Sequence, residues 1–276
     1  MQHQRDYAVI EKRIGETPLA TLTRLRAERS IPEHVPLTYA GRLDPLAFGK
    51  LLVLIGPACK DAHQYRALDK KYQLRILIGV SSDTGDLLGI PTIHELRELT
   101  CSDDAIRTTL RALEGTHTVP YPAYSSKTVK GIPLWKHALA GTLGSITVPT
   151  TTSTFHRIKF VSHETLNAPA LTSFVTERLA SVTPSSVYRG AGADFRLPAA
   201  NAAWKSLFES LPSNSCHSVL TLSVTCSSGT YMRTLADTVA RALGARGLAL
   251  SIERTKIGRY FALPLFPRRG FWYREY

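Results

Sequence analysis

An apolar run from Leu51 to Ile55 follows a stretch that contains one acid, Asp44. The run does not alternate with polar residues, which predicts a strand buried on both faces. Pro45 fixes its own φ and pushes Asp44 out of the helical region, while Gly41 and Gly49 allow turns or a close backbone approach. The sequence therefore predicts a rigid loop that presents a single carboxylate beside a buried strand.

The residues alone leave two interpretations of Asp44 open. A carboxylate among apolar neighbours is costly to bury unless something pairs with it, which favours a functional site. Asp-Pro is also a common turn opener, which favours an Asx-type turn with no further role. Spacing does not decide between a catalytic acid and a turn residue.

The charge balance points to a polyanionic partner. The 276 residues include 34 Lys and Arg against 22 Asp and Glu, a formal net charge of +12. Nucleic acid is the first candidate and an acidic membrane surface the second, although a merely soluble basic protein would have the same composition. The four cysteines form no C-x-x-C pair, which argues against a zinc knuckle or a disulfide scaffold. With no signal-peptide core and no bilayer-length apolar run, we expect a cytoplasmic protein.

Two segments alternate apolar and polar residues and are predicted as strands with one shared apolar face. Those faces are Tyr72, Leu74, Ile76 and Ile78 in the first, and Leu220, Leu222, Val224 and Cys226 in the second. Ser102 predicts the start of a helix that ends at Gly115. By its position alone, Tyr72 is an ordinary strand aromatic.

Several blocks resemble, in the same order, the motifs of the TruB-type tRNA pseudouridine synthases. The stretch Gly41-Arg42-Leu43-Asp44-Pro45-Leu46-Ala47-Phe48-Gly49 resembles the family's catalytic pattern G-x-L-D-P-L-A-x-G, and Tyr39 stands where the family usually has His. The block Cys226-Ser227-Ser228-Gly229-Thr230-Tyr231-Met232-Arg233-Thr234-Leu235-Ala236 resembles C-S-x-G-T-Y-I-R-[ST]-L-A. Further likenesses lie at 69–79, at 250–261, and at 82–89, which we expect to be a structural loop. The blocks cover most of residues 7–162 and 219–262.

The resemblance implies the pseudouridine synthase fold, an α+β architecture with a mixed, mostly antiparallel central sheet and flanking helices. We expect one catalytic domain over residues 1–276, without the C-terminal PUA domain that many family members carry. Residues from about 166 to 217 have no family counterpart and are expected to form an insertion. Within it, Tyr188, Arg189, Phe195 and Arg196 could touch RNA, but a small packed hairpin is the preferred interpretation.

The resemblance also implies an activity, the isomerisation of a uridine in RNA to pseudouridine, with the T-loop uridine of tRNA as the expected target. Asp44 would be the nucleophile, Arg233 would pair with it, and Tyr72 would stack on the base. Tyr231 and Ile252 would wall the base pocket. The remaining predicted substrate-binding residues are Tyr39, Arg42, Lys12, Lys71, Lys127 and Lys130.

The implied reaction rejoins the same atoms, so neither a cofactor nor a metal is expected. The expected partner is RNA, in particular the tRNA T arm, and the expected state is a monomer away from membranes. Two alternatives remain open. The Gly-Arg-Leu-Asp sequence and the absence of a PUA domain suit a ribosomal-RNA pseudouridine synthase, and a non-catalytic tRNA-binding chaperone would share the basic surface.

Overall fold

The computed structural model of the chain describes residues 6–94, 99–182, 195–212, 214–263 and 266–276, without the side chains of 266–269. Within these ranges the strands, numbered β1 to β13, are Tyr7–Lys12, Leu37–Tyr39, Phe48–Ile55, Asp69–Ile78, Val80–Ser82, Pro91–Ile93, Gly115–Pro120, Thr128–Val129, Ile132–Pro133, Thr150–Asn167, Cys216–Cys226, Gly247–Leu263 and Phe266–Glu275. The α-helices, α1 to α7, are Pro18–Glu28, Ala62–Arg66, Asp103–Ala112, Leu134–Leu139, Ala168–Ala180, Leu197–Ser210 and Met232–Ala242.

Nine of these strands form one mixed sheet in the order β1-β3-β12-β4-β11-β10-β7, with β2 added to β3 and β13 added to β12. Strands β3 and β12 run parallel, and the other pairings described within this sheet are antiparallel. The sequence-based prediction of an α+β fold with a mixed, mostly antiparallel sheet is confirmed.

The two strands predicted from alternation, β4 and β11, lie side by side at the centre of the sheet. Leu74 of β4 is opposite Leu222 of β11 on one side and Ile252 of β12 on the other. The apolar residues of both strands pack against α3 and α7 in the largest core cluster, so the predicted faces are confirmed. We call this side of the sheet, which carries Tyr72 and Leu74, the front face.

The opposite side of the sheet, the back face, is partly covered by α5 and α6 of the predicted insertion. Their apolar side chains, including Leu171 and Trp204, pack on Leu77 of β4 and Val219 of β11. The indole nitrogen of Trp204 donates a hydrogen bond to the carbonyl oxygen of Leu87 at 2.9 Å. The insertion therefore packs on the sheet and also contacts the loop after β5.

Strand β3 has buried side chains on both faces, as its unbroken apolar sequence predicts. Leu51 and Val53 pack against Leu22 and Leu25 of α1, while Leu52 and Leu54 belong to a separate cluster on the other side. Thr17 caps α1 by accepting a hydrogen bond from the Ala20 amide. In the described part of the chain, no helix has the length and apolar character needed to cross a membrane.

Candidate active site

The loop between β2 and β3 contains a turn, yet the Asp44 carboxylate points away from it. The Ala47 amide donates to the Asp44 carbonyl oxygen at 3.0 Å, which closes the turn. The carboxylate instead accepts a hydrogen bond from Nε of Arg233 at 2.7 Å. The turn is closed by backbone atoms, so it is not the Asx-type turn, and the side chain pairs with a distant residue instead. The catalytic role of Asp44 stays a prediction.

The buried Lys12 side chain anchors the part of this loop that follows Asp44. Its ammonium group donates to the carbonyl oxygens of Pro45 at 3.0 Å and Ala47 at 2.6 Å, and the residue is fully buried. The prediction that Lys12 contacts the substrate does not fit this placement, because its three N–H donors are directed at backbone carbonyls. Lys12 instead fixes the position of the residues that follow Asp44.

Arg254 of β12 holds the other end of the loop. Its guanidinium donates to the carbonyl oxygens of Gly41 and Arg42, both at 3.2 Å, and to that of Lys50 at 2.7 Å. Gly49 makes this approach possible, since a Cβ there would lie 2.5 Å from the Arg254 carbonyl oxygen. Both ends of the Asp44 loop are therefore tied to buried cations.

The Arg233 guanidinium lies at the start of α7 and uses each of its nitrogens. Besides the bond to Asp44, Nη1 donates to the Thr84 carbonyl oxygen at 2.6 Å and Nη2 to the Tyr124 carbonyl oxygen at 3.1 Å. The Arg233 side chain is 5% exposed, whereas that of Asp44 is 44% exposed. The arginine is thus rigidly held beneath a carboxylate that solvent, or a ligand, can reach.

Asp86 is a second acid beside Arg233, and the sequence interpretation placed it in a merely structural loop. Its Oδ2 lies 3.7 Å from Nε of Arg233, and its Oδ1 accepts bonds from the Thr84 hydroxyl and the Leu88 amide. Burial raises the pKa of Asp86, the Arg233 charge partly offsets this, and the nearby Asp44 raises it further. Burial would lower the pKa of Arg233, but the two carboxylates outweigh burial and raise it.

A cavity of about 600 Å³ opens above this ion pair. Its lining includes the predicted residues Asp44, Arg233, Tyr72, Tyr231, Ile252, Tyr39 and Arg42. Tyr72 and Ile252 come from the front face of the sheet, and each is 8% exposed. At the edge formed by the loop, Nε of Arg42 donates to the Tyr39 hydroxyl at 3.4 Å. The structure therefore brings together seven residues that the sequence singled out.

The other three predicted lysines differ in their position relative to the cavity. Lys127 lies 5.3 Å from the ring centre of Tyr121, whose ring is edge-on to Tyr231, so Lys127 is close to the cavity. Lys130 is exposed in the turn between β8 and β9. Lys71 lies on the back face, because side chains alternate along β4 and its neighbour Tyr72 faces the front. Lys71 is therefore not placed at the cavity, and its role in binding substrate stays a prediction.

Three further cavity residues were not singled out as site residues. Trp135 and Lys136 of α4 line the cavity, with the Lys136 ammonium 5.5 Å from the Trp135 ring centre. Ser125 is buried in the wall, and its hydroxyl has no hydrogen-bond partner in the described part of the chain. A polar, unpaired group in a cavity wall is suited to bind a polar ligand. No cluster of three His, Cys, Asp or Glu that could hold a metal occurs among the described residues.

The insertion reaches the cavity through Arg196, while Tyr188 and Arg189 lie outside the described residues. Arg196 donates two hydrogen bonds to the Asp83 carboxylate, at 2.8 and 3.0 Å, and its guanidinium lies 4.5 Å from the Tyr124 ring centre. The Tyr124 hydroxyl donates to the same carboxylate at 3.1 Å. Since the Tyr124 carbonyl accepts from Arg233, Arg196 helps to place a hydrogen-bond partner of Arg233.

Lys12 is expected to make the free energy of unfolding depend on pH. Burial lowers the pKa of Lys12 from its ordinary 10.5 to about 8. Between these values the unfolded chain holds a proton that the folded chain has released, so the free energy of unfolding rises with pH. We expect the unfolding free energy of the wild type, minus that of Lys12→Met, to rise by about 1–3 kcal/mol between about pH 7.5 and about pH 10. Urea unfolding of both proteins measures this, and a pH-independent difference would contradict it.

Comparison with known proteins identifies relatives over most of the chain. The family model described as TruB family pseudouridylate synthase (N terminal domain) matches residues 31–175. The tRNA pseudouridine synthase B of Blochmanniella floridana is 25% identical over 224 residues, which cover 81% of this chain and 66% of that protein. The tRNA pseudouridine synthase B of Cupriavidus metallidurans is 28% identical over 220 residues, covering 80% of this chain and 53% of that protein. The chain thus spans about half to two thirds of the length of these curated relatives.

A solved structure shares the fold at much lower identity. A chain of a Cbf5-Nop10-Gar1 complex superposes with a TM-score of 0.53 and 13% sequence identity, covering 91% of this chain and 48% of that chain. At this identity the similarity supports the architecture of the sheet and its helices.

Proposed function

The chain belongs to the TruB family of pseudouridylate synthases, and from this we propose that it isomerises a uridine in RNA to pseudouridine, with the T-loop uridine of tRNA as its target. The similarity to proteins named tRNA pseudouridine synthase B supports tRNA as the substrate. The formal net charge of +12 suits an RNA partner. We further propose that the chain acts as a monomeric catalytic domain in the cytoplasm, with the T arm of tRNA as its partner.

The observation that carries this proposal is the pairing of Asp44 and Arg233, 189 residues apart, at the floor of the cavity. The guanidinium holds the carboxylate in place with a charge-assisted hydrogen bond, and a carboxylate fixed in this way can act as a nucleophile. Tyr72 and Ile252 flank the same cavity with flat or branched apolar surface. A reactive carboxylate next to an apolar slot suits a reaction at the sugar of a bound nucleotide.

The proposed chemistry breaks one bond and forms another between the same two rings. The N1–C1′ bond of the uridine breaks, and uracil leaves with the bonding electrons. After the ring turns, C5 bonds to C1′, the C5 proton is lost, and N1 gains a proton. Asp44 either attacks C1′, as the carboxylate nucleophile of a retaining glycosidase does, or assists the formation of a glycal.

Tyr72 is proposed to hold the uracil by stacking. The target base must first leave its helical stack, at a cost of a few kcal/mol. Stacking on an aromatic ring returns about 1–3 kcal/mol per base. Burial raises the pKa of Tyr72, so its hydroxyl stays protonated near neutral pH. Tyr231 and Ile252 form the remaining walls of the proposed base pocket.

An assay on unmodified RNA tests the activity. Purified protein is mixed with an unmodified tRNA transcript and, separately, with ribosomal RNA fragments, and pseudouridine is quantified in each. We expect product at the T-loop uridine of the tRNA. Binding without product would favour the chaperone alternative, whereas product only in the ribosomal fragments would favour a ribosomal-RNA synthase.

The insertion gives a prediction about the rate of this reaction. Removing the guanidinium in Arg196→Ala frees Asp83 and Tyr124, so Arg233 loses a fixed acceptor, and we expect kcat to fall about tenfold. Both partners are partly exposed, so the unfolding free energy should change by about 1 kcal/mol or less. Lys205→Ala removes an exposed cation from the same insertion and serves as the control. Wild-type kcat in Arg196→Ala would contradict a positioning role.

A further inference from the structure

The back face of the sheet carries a row of cations that the cavity does not use. Arg157 of β10 is opposite Thr225 of β11, Thr225 is opposite Lys71 of β4, and Lys71 is opposite Lys256 of β12. Residues in register on neighbouring strands share a face, so the row extends over about 14 Å, three strand spacings. Lys159, two residues beyond Arg157, is on the same face. We call these four residues, Lys71, Arg157, Lys159 and Lys256, the back-face patch.

Three carboxylates, those of Asp69, Glu253 and Glu275, share or adjoin the face of this patch, and two of them are engaged in contacts of their own. Asp69, two residues before Lys71 on β4, pairs with His156 and accepts from the Tyr260 amide, and Glu253 lies in the row of Lys159. Glu275 bridges Lys256 and Lys50 at 2.7 and 3.1 Å. Lys71, Arg157 and Lys159 form no salt bridge with any residue of the described ranges. Burial lowers the pKa of Lys71, and the charges of Lys256, Lys159 and Arg157 lower it further. Lys71 lies opposite Lys256, and like charges in this arrangement destabilise a sheet, an effect that Glu275 partly offsets.

The positive surface continues around the edge of the sheet. Arg107 and Arg111 of α3 line a groove of about 290 Å³ together with Arg157 and Lys159. The Arg107 guanidinium lies 4.8 Å from the ring centre of Phe160 on the floor of this groove. The groove therefore has cations on both sides and an aromatic ring between them. It also includes one carboxylate, Glu114, which accepts a hydrogen bond from the Ile158 amide at 2.9 Å.

Aromatic side chains also adjoin the Arg157 end of the patch. The rings of Tyr260 and Trp272 pack edge to face with centres 5.5 Å apart. Burial raises the pKa of Tyr260, and the nearby Arg157 charge partly offsets that rise. Cations interleaved with aromatic rings are typical of surfaces that follow a nucleic-acid backbone. An anionic lipid surface would require neither a groove nor aromatic rings beside the cations.

We propose that the back-face patch and the adjoining groove bind the phosphate backbone of the RNA substrate, at a segment other than the one that enters the cavity. This rests on the proposed function, because it assumes that the cavity takes an RNA nucleotide. The patch and the cavity lie on opposite faces of β4, so a short hairpin at the cavity does not reach both, whereas a larger RNA can extend around the sheet edge. The back-face contacts add affinity without reading sequence.

A double variant tests the patch while sparing the cavity. Arg157→Gln with Lys159→Gln removes two cations that have no part in the catalytic machinery. Dissociation constants for full-length tRNA and for an isolated T-arm hairpin are measured at several salt concentrations, and urea unfolding checks the fold. For full-length tRNA we expect binding at least about tenfold weaker and a log–log salt slope shallower by about 2, close to one unit per lost phosphate contact. Hairpin binding and kcat at saturating tRNA should not change.

Two controls make the outcome specific. Arg157→Lys with Lys159→Arg keeps the charges and should bind full-length tRNA like the wild type, whereas Lys60→Gln with Lys205→Gln removes exposed cations elsewhere and should do the same. Unchanged tRNA affinity and salt slope in the charge-removing patch variant would overturn the proposal. So would loss of binding to phosphatidylserine vesicles with unchanged tRNA binding, which would assign the patch to a membrane surface. Because binding is measured without turnover, absence of pseudouridine would overturn only the proposed activity.

Discussion

Replacing Asp44 with asparagine is expected to abolish pseudouridine formation while RNA binding remains close to that of the wild type. The amide oxygen of asparagine can still accept the hydrogen bond from Arg233, so the cavity keeps its shape. The amide is not a nucleophile at C1′, and loss of a nucleophile in covalent catalysis typically lowers kcat on the order of 10⁶-fold. Single-turnover assays on unmodified tRNA measure the rate, and filter binding measures affinity.

The Asp44→Asn variant should also fold, which makes a loss of activity interpretable. The buried Arg233 keeps Asp86 at 3.7 Å as a second anion, so its charge is not left uncompensated. Asp61→Asn makes the same substitution at an exposed position outside the cavity and is the matched control. Activity near the wild-type level in Asp44→Asn would overturn the assignment of Asp44 as the nucleophile.

Arg233 is expected to contribute to both activity and stability, and two substitutions separate these effects. Arg233→Lys keeps the charge but loses the planar fork that contacts Asp44, Thr84 and Tyr124, so we expect kcat to fall about 100-fold or more. Arg233→Leu leaves the buried Asp86 carboxylate without the cation beside it and should lower the free energy of unfolding by about 3–5 kcal/mol. Rapid-quench kinetics on the first variant and urea unfolding of the second measure these changes.

A second substitution shows whether Asp86 causes that loss of stability. If the unpaired carboxylate is responsible, adding Asp86→Asn to Arg233→Leu should restore much of the lost stability, although Asp86→Asn alone destabilises the wild type. Losses that simply add would contradict the coupling of Asp86 to Arg233. The pH dependence gives an independent check. Burial without Arg233 raises the pKa of Asp86, so Arg233→Leu should be relatively more stable below this pKa, where the carboxyl is neutral.

Sequence patterns correctly predicted which side chains enter the core when the prediction concerned the two faces of a single strand. The alternation in β4 and β11 fixed which side chains enter the core, because a strand exposes every second residue to the same face. The same rule would have excluded Lys71 from the cavity, since its neighbour Tyr72 was already expected to face the base.

Contacts between distant parts of the chain could not be obtained from periodicity. The pairing of Asp44 with Arg233 followed from the family resemblance, because nothing in either segment's composition indicates the other. Lys12, Asp86 and Arg254 hold the site through long-range bonds to backbone carbonyls or to a buried charge, and such partners leave no local pattern. The contact of Arg196 could not be predicted either. The sequence indicated an insertion of mixed charge, but not that Arg196 would pair with Asp83 in another loop.

The anchoring of the Asp44 loop by Arg254 has a consequence for how the site forms during folding. The arginine is separated by 213 and 212 residues from Gly41 and Arg42, whose carbonyls it holds. Until β12 has joined the sheet, those two carbonyls lack their anchor, whereas the Lys12 contacts to Pro45 and Ala47 can already restrain the other end of the loop. The placement of the proposed nucleophile therefore depends on the assembly of the middle of the sheet, where β12 lies between β3 and β4.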